Sequence, residues 1–308
     1  MGKFIAAMDH SGGSTGGVLE RYGQAYTEED KRDKVHEMRL RMVNSPDFNS
    51  DNIWAAILYK DTVERGMVPI LKEKGIQAYL KIDSGTNEDG TMKDFDLNAM
   101  VNFAVKHGCT GTKMRSIIKS SELISTVLHQ QFKLAEKIHA WGLMPIIEPE
   151  VLMDGNHSSE DCFKKTSEVI KKCFEELILH KVDLKGIILK PNMILAGNTS
   201  KDKIANEEVA KLTLECLKNS VPSEVPGIAF LSGGQSELEA TENLNLINKL
   251  NDTNFIMSYS YGRALQQSAL KFWSKDIQNI EGTQKVFNHR AKMNTLAAQG
   301  KWSKDLEI

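Results

Sequence analysis

Eight short apolar runs, each followed by a longer amphipathic stretch, leave this chain little architectural choice. The runs fall near 3–8, 53–58, 77–82, 109–114, 143–148, 186–190, 227–231 and 254–258. Helical patterns follow them near 28–43, 60–75, 94–107, 121–141, 158–180, 203–219, 236–249 and 263–273, and a last helix is expected over roughly 283–298. The short runs are continuously apolar rather than alternating, as in Gly186-Ile187-Ile188-Leu189. Strands of that kind are covered on both faces, which calls for a parallel sheet under helices. Gly75, Gly108 and Gly142 close helical patterns, where the left-handed backbone of a C-cap suits glycine. Eight βα units predict an α/β fold, a (β/α)8 TIM barrel. An open doubly wound sheet fits less well, because no Gly-x-Gly-x-x-Gly follows the first strand. No linker or repeat interrupts the pattern, so the expectation is a single barrel domain over 1–308 with 276–308 as a C-terminal helical tail.

Lys plus Arg number 39 against 41 Asp plus Glu, a formal charge of −2. Such a balance argues against nucleic acid or an anionic membrane surface as a partner. No apolar run reaches membrane-spanning length and no signal-peptide core opens the chain, so a cytoplasmic protein is expected. Cys109, Cys162, Cys173 and Cys216 contain no Cys-x-x-Cys pair and read as reduced, buried thiols. No histidine pair has ligand spacing along the chain, so neither a metal nor a cofactor is expected. The charges of 160–181 read as a solvated helix face.

A barrel gathers the C-terminal ends of its strands around one mouth, where catalytic groups sit. The first strand leads to Asp9, the third to Lys81 and Asp83. The fourth carries Lys113 and Arg115, the fifth ends in Glu148-Pro149-Glu150, and the sixth in Lys190-Pro191-Asn192. One charge at a strand end is commonplace; charges at most of the strand ends are not. Lys190 is the sharpest case, since it follows the most apolar run and Pro191 stops the strand behind it. A strand-end lysine can simply snorkel to solvent. Neighbouring cations with partial burial instead favour a neutral amine, the form that attacks a carbonyl to make a Schiff base. Asp9 and Glu148 are carboxylates at hand to move protons. Ser232-Gly233-Gly234 and Gly262-Arg263 follow the seventh and eighth strands, where barrels commonly bind phosphate. The Gly/Ser loop at 11–17, which contains Ser14, could cradle a second phosphate.

Several segments, in order along nearly the whole chain, resemble the class I, Schiff-base fructose-1,6-bisphosphate aldolases. Ile188-Leu189-Lys190-Pro191-Asn192-Met193 resembles the family's Schiff-base lysine motif, and Met144-Pro145-Ile146-Ile147-Glu148-Pro149-Glu150 its catalytic glutamate strand. Phe230-Leu231-Ser232-Gly233-Gly234-Gln235-Ser236 and Ser260-Tyr261-Gly262-Arg263-Ala264-Leu265-Gln266 resemble its phosphate loops, and Arg290-Ala291-Lys292-Met293-Asn294 its C-terminal helix. The resemblance implies a lyase of glycolysis and gluconeogenesis that cleaves fructose 1,6-bisphosphate to dihydroxyacetone phosphate and glyceraldehyde 3-phosphate. By it, Lys190 forms the imine at substrate C2. Glu148 is the general acid/base for carbinolamine dehydration, supported by Glu150, and Asp9 takes the C4 hydroxyl proton. Lys113 stabilises charge beside them. Arg115 and Lys81 bind substrate; Ser232, Gly233, Gly262 and Arg263 hold the C1 phosphate; Ser14 and Arg21 belong to the other phosphate's region.

Some residues depart from the family pattern. The usual Asp-Glu-Ser-Thr-Gly is a longer loop here, Asp9-His10-Ser11-Gly12-Gly13-Ser14-Thr15-Gly16, and Lys185 stands where Glu is usual. The last aromatic residue is Trp302, without the terminal tyrosine of the long forms, so the short bacterial-type form is the expected match. The C3 proton transfer then falls to Glu148, with Asp9 second, and trimming 303–308 is expected barely to change kcat. The alternatives are another Schiff-base aldolase of a related phosphorylated ketose and a catalytically silent barrel used as a binding protein. A metal-dependent aldolase is disfavoured because the sequence lacks a histidine cluster.

Overall fold

Side-chain parity along the strands explains both the core and the mouth of this molecule. A computed structural model describes residues 3–9, 19–119 and 124–307. The strands are β1 (Phe4–Met8), β2 (Ile53–Leu58), β3 (Gln77–Lys81), β4 (Gly111–Ile118), β5 (Met144–Val151), β6 (Ile188–Leu189), β7 (Gly227–Phe230) and β8 (Ile256–Tyr259). They pair in parallel and in chain order, the (β/α)8 TIM-barrel arrangement. Where β8 returns to β1, side chains join the edges. Ser258 Oγ donates to the Lys3 carbonyl at 2.8 Å, Gln266 Nε2 donates to the Ala7 carbonyl at 2.7 Å, and the Phe4 and Tyr259 rings stack at 4.4 Å.

Alternate residues of a strand point to opposite faces. Ile5, Ala7, Ala55, Ile57, Tyr79, Ile146, Ile188 and Ala229 form one buried cluster, the barrel's filling. Their neighbours Phe4, Ala6, Met8, Ala56, Leu58, Ala78, Leu80, Ile147, Leu189, Ile228 and Phe230 belong to a second, larger cluster under the helices. Gly111 makes room for Tyr79: a Cβ there would lie 2.1 Å from the Tyr79 ring and 2.4 Å from the Met144 carbonyl oxygen.

The outer layer comprises α1 (Lys31–Val43), α2 (Lys60–Glu64), α3 (Met67–Glu73), α4 (Leu97–Lys106), α5 (Ile124–Ala140), α6 (Ser159–Leu179), α7 (Asn206–Ser220), α8 (Glu237–Leu250), α9 (Arg263–Lys275) and α10 (Ile280–Ala297). The single helix expected over 60–75 is two, because Gly66 takes a left-handed conformation (φ 86°) and restarts the chain as the N-cap of α3. Gly75, Gly108 and Gly142 do have positive φ at helix ends. β6 is shorter than the expected 186–190. Asp183 accepts from the Lys185 amide and winds Leu184–Gly186 into a 3-10 turn, and Pro191 follows Lys190 without an N–H. β4 and β5 run further than expected, in one register from Gly111 opposite Met144 to Ile118 opposite Val151.

Residues beyond α9 dock on the barrel's flank. Phe287 of α10 stacks on Phe48 at 5.8 Å, and Asn294 donates to the Ala264 carbonyl at 3.2 Å while accepting from Thr241 at 2.5 Å. Trp302 is buried, its backbone N–H on Asn245 Oδ1 at 3.0 Å and its indole N–H on Glu307 Oε1 at 2.8 Å. The four cysteines are free and buried. Among the described residues no helix is long and apolar enough to cross a membrane.

Candidate active site

Two residues beyond the apolar filling on five of the strands, the same inward parity presents a charge. Ala7 leads to Asp9, Tyr79 to Lys81 and Asp83, Ile146 to Glu148 and Glu150, and Ile188 to Lys190; on β4, Gly111 leads to Lys113 and Arg115. Lys81, Asp83, Lys113, Glu148, Glu150 and Lys190 are all buried, so these charges need partners.

Four side chains from four strand ends form one continuous relay. Asp9 Oδ2 accepts from Lys113 Nζ at 2.9 Å, Lys113 Nζ lies 2.6 Å from Glu148 Oε2, and Glu148 Oε1 lies 3.1 Å from Lys190 Nζ. Glu148 thus holds a different lysine on each oxygen. Burial pushes its carboxyl upward, but Lys113, Lys190 and Arg115 outweigh that and keep it below the usual carboxylate range. Asp9 follows the same logic: burial raises it, Lys113 and Lys190 overcome burial, and the net displacement is strongly downward. Burial also works against a charged Lys113, and Asp9 and Glu148 reverse it, so Lys113 is held above its ordinary value as a fixed cation. Lys190 is placed by backbone as well, its amide donating to the Ile147 carbonyl at 2.8 Å.

Glu150 sits beside this relay with Arg115, whose Nε donates to Glu150 Oε2 at 2.5 Å. Burial and the nearby Glu148 charge raise the Glu150 carboxyl, Arg115 opposing them only in part. Two carboxylates one residue apart on one strand are thereby pushed in opposite directions. The Ser232-Gly233-Gly234 turn closes over Glu150: a Cβ on Gly233 would lie 3.2 Å from Glu150 Oε1. Gly234 has φ +78°, and a Cβ on it would meet Met153 Cβ at 2.6 Å, so glycine is required there. Gly262 is the N-cap of α9 and Arg263 its first residue, exposed at the rim. Arg21 is exposed too, and both Arg21 and Arg263 act electrostatically on Tyr22. Ser14 lies outside the described residues.

Reading the sequence set Asp83, Asn192 and Ser260 at strand ends but gave none of them a role. Asp83 takes Lys81 Nζ at 2.6 Å and the Gly85 amide at 3.0 Å on one oxygen, which aims Lys81 along the mouth. Asn192 accepts from the Val151 amide at 3.1 Å and donates to Thr166 Oγ1 at 3.1 Å, tying the end of β5 to α6 beside Lys190. Ser260 is buried on the inner parity of β8, with a hydroxyl that has no hydrogen-bond partner. The signal for a role at Asp83 and Ser260 was that parity, two residues past an inward neighbour; Asn192 stood in the strand-end run after Lys190, and its partners Val151 and Thr166 are set by packing.

The arrangement can do carbonyl chemistry. A buried amine faces a carboxylate that can exchange a proton with it, a fixed cation stands behind, and a second ionised carboxylate lies on the far side. Among the described residues, no group of three His, Cys, Asp or Glu side chains converges in the mouth; the one such group lies elsewhere.

Comparison with known proteins gives a consistent result. The family model for fructose-bisphosphate aldolase class-I matches residues 1–307. A fructose-bisphosphate aldolase of Dictyostelium discoideum is 33% identical, with 98% of this chain and 89% of that protein covered. A probable fructose-bisphosphate aldolase class 1 of Xylella fastidiosa is 36% identical over 98% of this chain and 95% of its own. Fructose-bisphosphate aldolase B of Mus musculus is 38% identical over 98% and 87%. A solved structure of fructose-bisphosphate aldolase from Plasmodium falciparum, in ternary complex with TRAP and a small-molecule inhibitor, superposes with a TM-score of 0.87 at 32% identity, covering 98% of this chain and 92% of that one.

Proposed function

The chain belongs to the class I fructose-bisphosphate aldolase family, a family of lyases, and we propose that its barrel mouth cleaves fructose 1,6-bisphosphate, and runs the reverse condensation, through an imine on Lys190. The observation that carries this reading is the Asp9–Lys113–Glu148–Lys190 relay.

Lys190 Nζ attacks the C2 carbonyl as a neutral amine, with Glu148 Oε1 at 3.1 Å as acceptor for its proton. Glu148 returns a proton to the carbinolamine hydroxyl, which leaves as water, and the resulting iminium is an electron sink at C2. Asp9, kept ionised by Lys113 and Lys190, accepts the C4 hydroxyl proton as the C3–C4 bond breaks. The bond's electrons pass to the imine as an enamine, and glyceraldehyde 3-phosphate departs. After the aldehyde leaves, the proton held by Asp9 passes through solvent at the mouth to Glu148, Glu148 delivers it to C3, and hydrolysis of the imine releases dihydroxyacetone phosphate. Lys113 remains charged throughout and offsets the negative charge that moves between Asp9 and Glu148. Glu150 supports Glu148, and Arg115 and Lys81 grip the substrate between its phosphates.

Ser232, Gly233, Gly262 and Arg263 bind the C1 phosphate through backbone N–H groups, a hydroxyl and a guanidinium. Arg21 and Ser14 serve the other phosphate. Four buried thiols suit a reducing, cytoplasmic setting.

Trapping tests the reading directly. Borohydride added with dihydroxyacetone phosphate is expected to inactivate the protein and label Lys190, and Lys190→Met to abolish both label and cleavage. Label on another lysine would overturn the assignment.

A further inference from the structure

On the outer shell, away from every strand end, three potential ligands converge. His129 is on α5, Glu176 in the last turn of α6, and His180 is the residue that caps α6. His129 Nδ1 lies 3.0 Å from Glu176 Oε2, His180 Nε2 lies 3.7 Å from the same oxygen, and the two imidazole nitrogens are 3.5 Å apart. A tetrahedral Zn²⁺ with bonds of about 2.0–2.1 Å has ligand–ligand edges of about 3.3 Å. The observed triangle is therefore the size of one face of such a tetrahedron.

Further features separate this group from a surface ion pair. The rings do not stack face to face: their centroids are 5.0 Å apart and their planes tilted by 56°, so one nitrogen of each turns toward the shared oxygen. Glu176 and His180 are one helical turn apart and share a face of α6. The other nitrogen of His180, Nδ1, has Glu136 Oε2 at 4.0 Å, within ion-pair range and beyond a hydrogen bond. The Glu176 and His180 side chains are largely covered (17% and 15% exposed) while His129 is half open (52%), so solvent reaches the fourth position.

We propose that His129, Glu176 and His180 form a Zn²⁺ site with a water as fourth ligand, which clamps α5 to α6. Two borderline imidazole nitrogens with one hard carboxylate oxygen make a His2Glu donor set that Zn²⁺ takes. The expectation of no metal site came from spacing along the chain. His129 and His180 are 51 residues apart, and helix packing supplies the proximity.

The test titrates ZnCl₂ calorimetrically into the full-length protein, treated with EDTA and dialysed. One equivalent per chain is expected, together with a raised melting temperature. His129→Ala and His180→Ala should each weaken binding at least about tenfold, and Glu136→Gln should weaken it less. His129 is half exposed, so its variant keeps the fold and keeps the test open if His180→Ala unfolds. Absence of saturable binding, or binding unchanged in the double histidine variant, overturns the site. Cleavage of fructose 1,6-bisphosphate should survive EDTA treatment; its loss and recovery with Zn²⁺ would overturn the assignment of the ion to a clamp outside the mouth.

Discussion

The floor and the mouth of this barrel are built from the same strands on the same parity, yet they obey opposite rules. At the floor, Ile5, Ala55, Ile57, Tyr79, Ile146, Ile188 and Ala229 fill the interior with carbon, and the Gly111 hydrogen is all that fits beside Tyr79. Two residues further along, Asp9, Lys81, Lys113, Glu148 and Lys190 fill the same cylinder with charge. The floor is stabilised by burial as such. The mouth tolerates burial only because each charge holds an opposite one within about 3 Å, and isolating any member would be costly. A substitution at the floor should therefore cost stability and spare chemistry, whereas one at the mouth should cost chemistry first.

The strongest attempt to break that division is Glu148→Gln. The amide keeps the shape but can no longer accept the Lys190 proton or carry the charge between the lysines. A loss of about 10²–10⁴ in kcat is expected, the usual contribution of a positioned acid/base. Urea unfolding should change less, because Lys113 keeps Asp9 and Lys190 gains access to solvent from the mouth. A variant with near-normal kcat and collapsed stability would place Glu148 with the floor instead.

Arg263→Ala probes the rim. Losing a charge-assisted contact to a phosphate is expected to weaken C1 phosphate binding by about 2–4 kcal/mol. The effect should appear in KM for the bisphosphate with folding unaltered, since Arg263 is exposed. Unchanged KM would show that the phosphate lies elsewhere. At the floor, Gly111→Ala forces a methyl into the Tyr79 ring and is expected to cost about 1–3 kcal/mol of stability, the range for an overpacked core. kcat of the folded fraction should stay within about twofold. A large fall in kcat without loss of stability would mean that strain at the floor reaches Lys113, two residues along β4.

Legibility in the sequence follows the same line. Lys190 and Glu148 were readable because each follows an apolar run and precedes a proline, Pro191 or Pro149, so local pattern and position agree. The barrel was readable because continuous apolarity is a property of whole segments. The break at Gly66 was not, since a glycine inside a helical pattern is as often tolerated as used. Nor was the placing of Phe48 against Phe287, or of His129 beside His180. Those pairs are joined by packing between distant elements, and residue spacing along the chain carries no trace of it.

The smallest expected effect concerns residues 303–308, which the sequence alone presents as dispensable. The structure gives Glu307 a holding role. Its Oε1 accepts from Arg290 Nη1 at 3.1 Å and from the Trp302 indole at 2.8 Å, and its Oε2 pairs with Arg290 Nη2. Burial pushes the Glu307 carboxyl up, but the bonds from Arg290 and Trp302 outweigh it and hold the folded-state value below the ordinary one. A carboxyl depressed on folding contributes stability above its unfolded value and loses that contribution as pH falls through the folded one. Removing 303–308, or Glu307→Gln alone, should therefore cost about 1 kcal/mol at neutral pH, the scale of a lost side-chain hydrogen bond, and the difference from the parent protein should begin to shrink as pH falls through about 4.3, the ordinary glutamate value, and vanish only below the lower folded-state one. kcat should hold within about twofold, because Arg290 touches Thr241 and Glu307 rather than the relay. Solvent proton exchange at C3 of dihydroxyacetone phosphate separates the possibilities. If exchange falls about a hundredfold while borohydride still traps the imine, the end of the chain acts in the proton step rather than only bracing the flank.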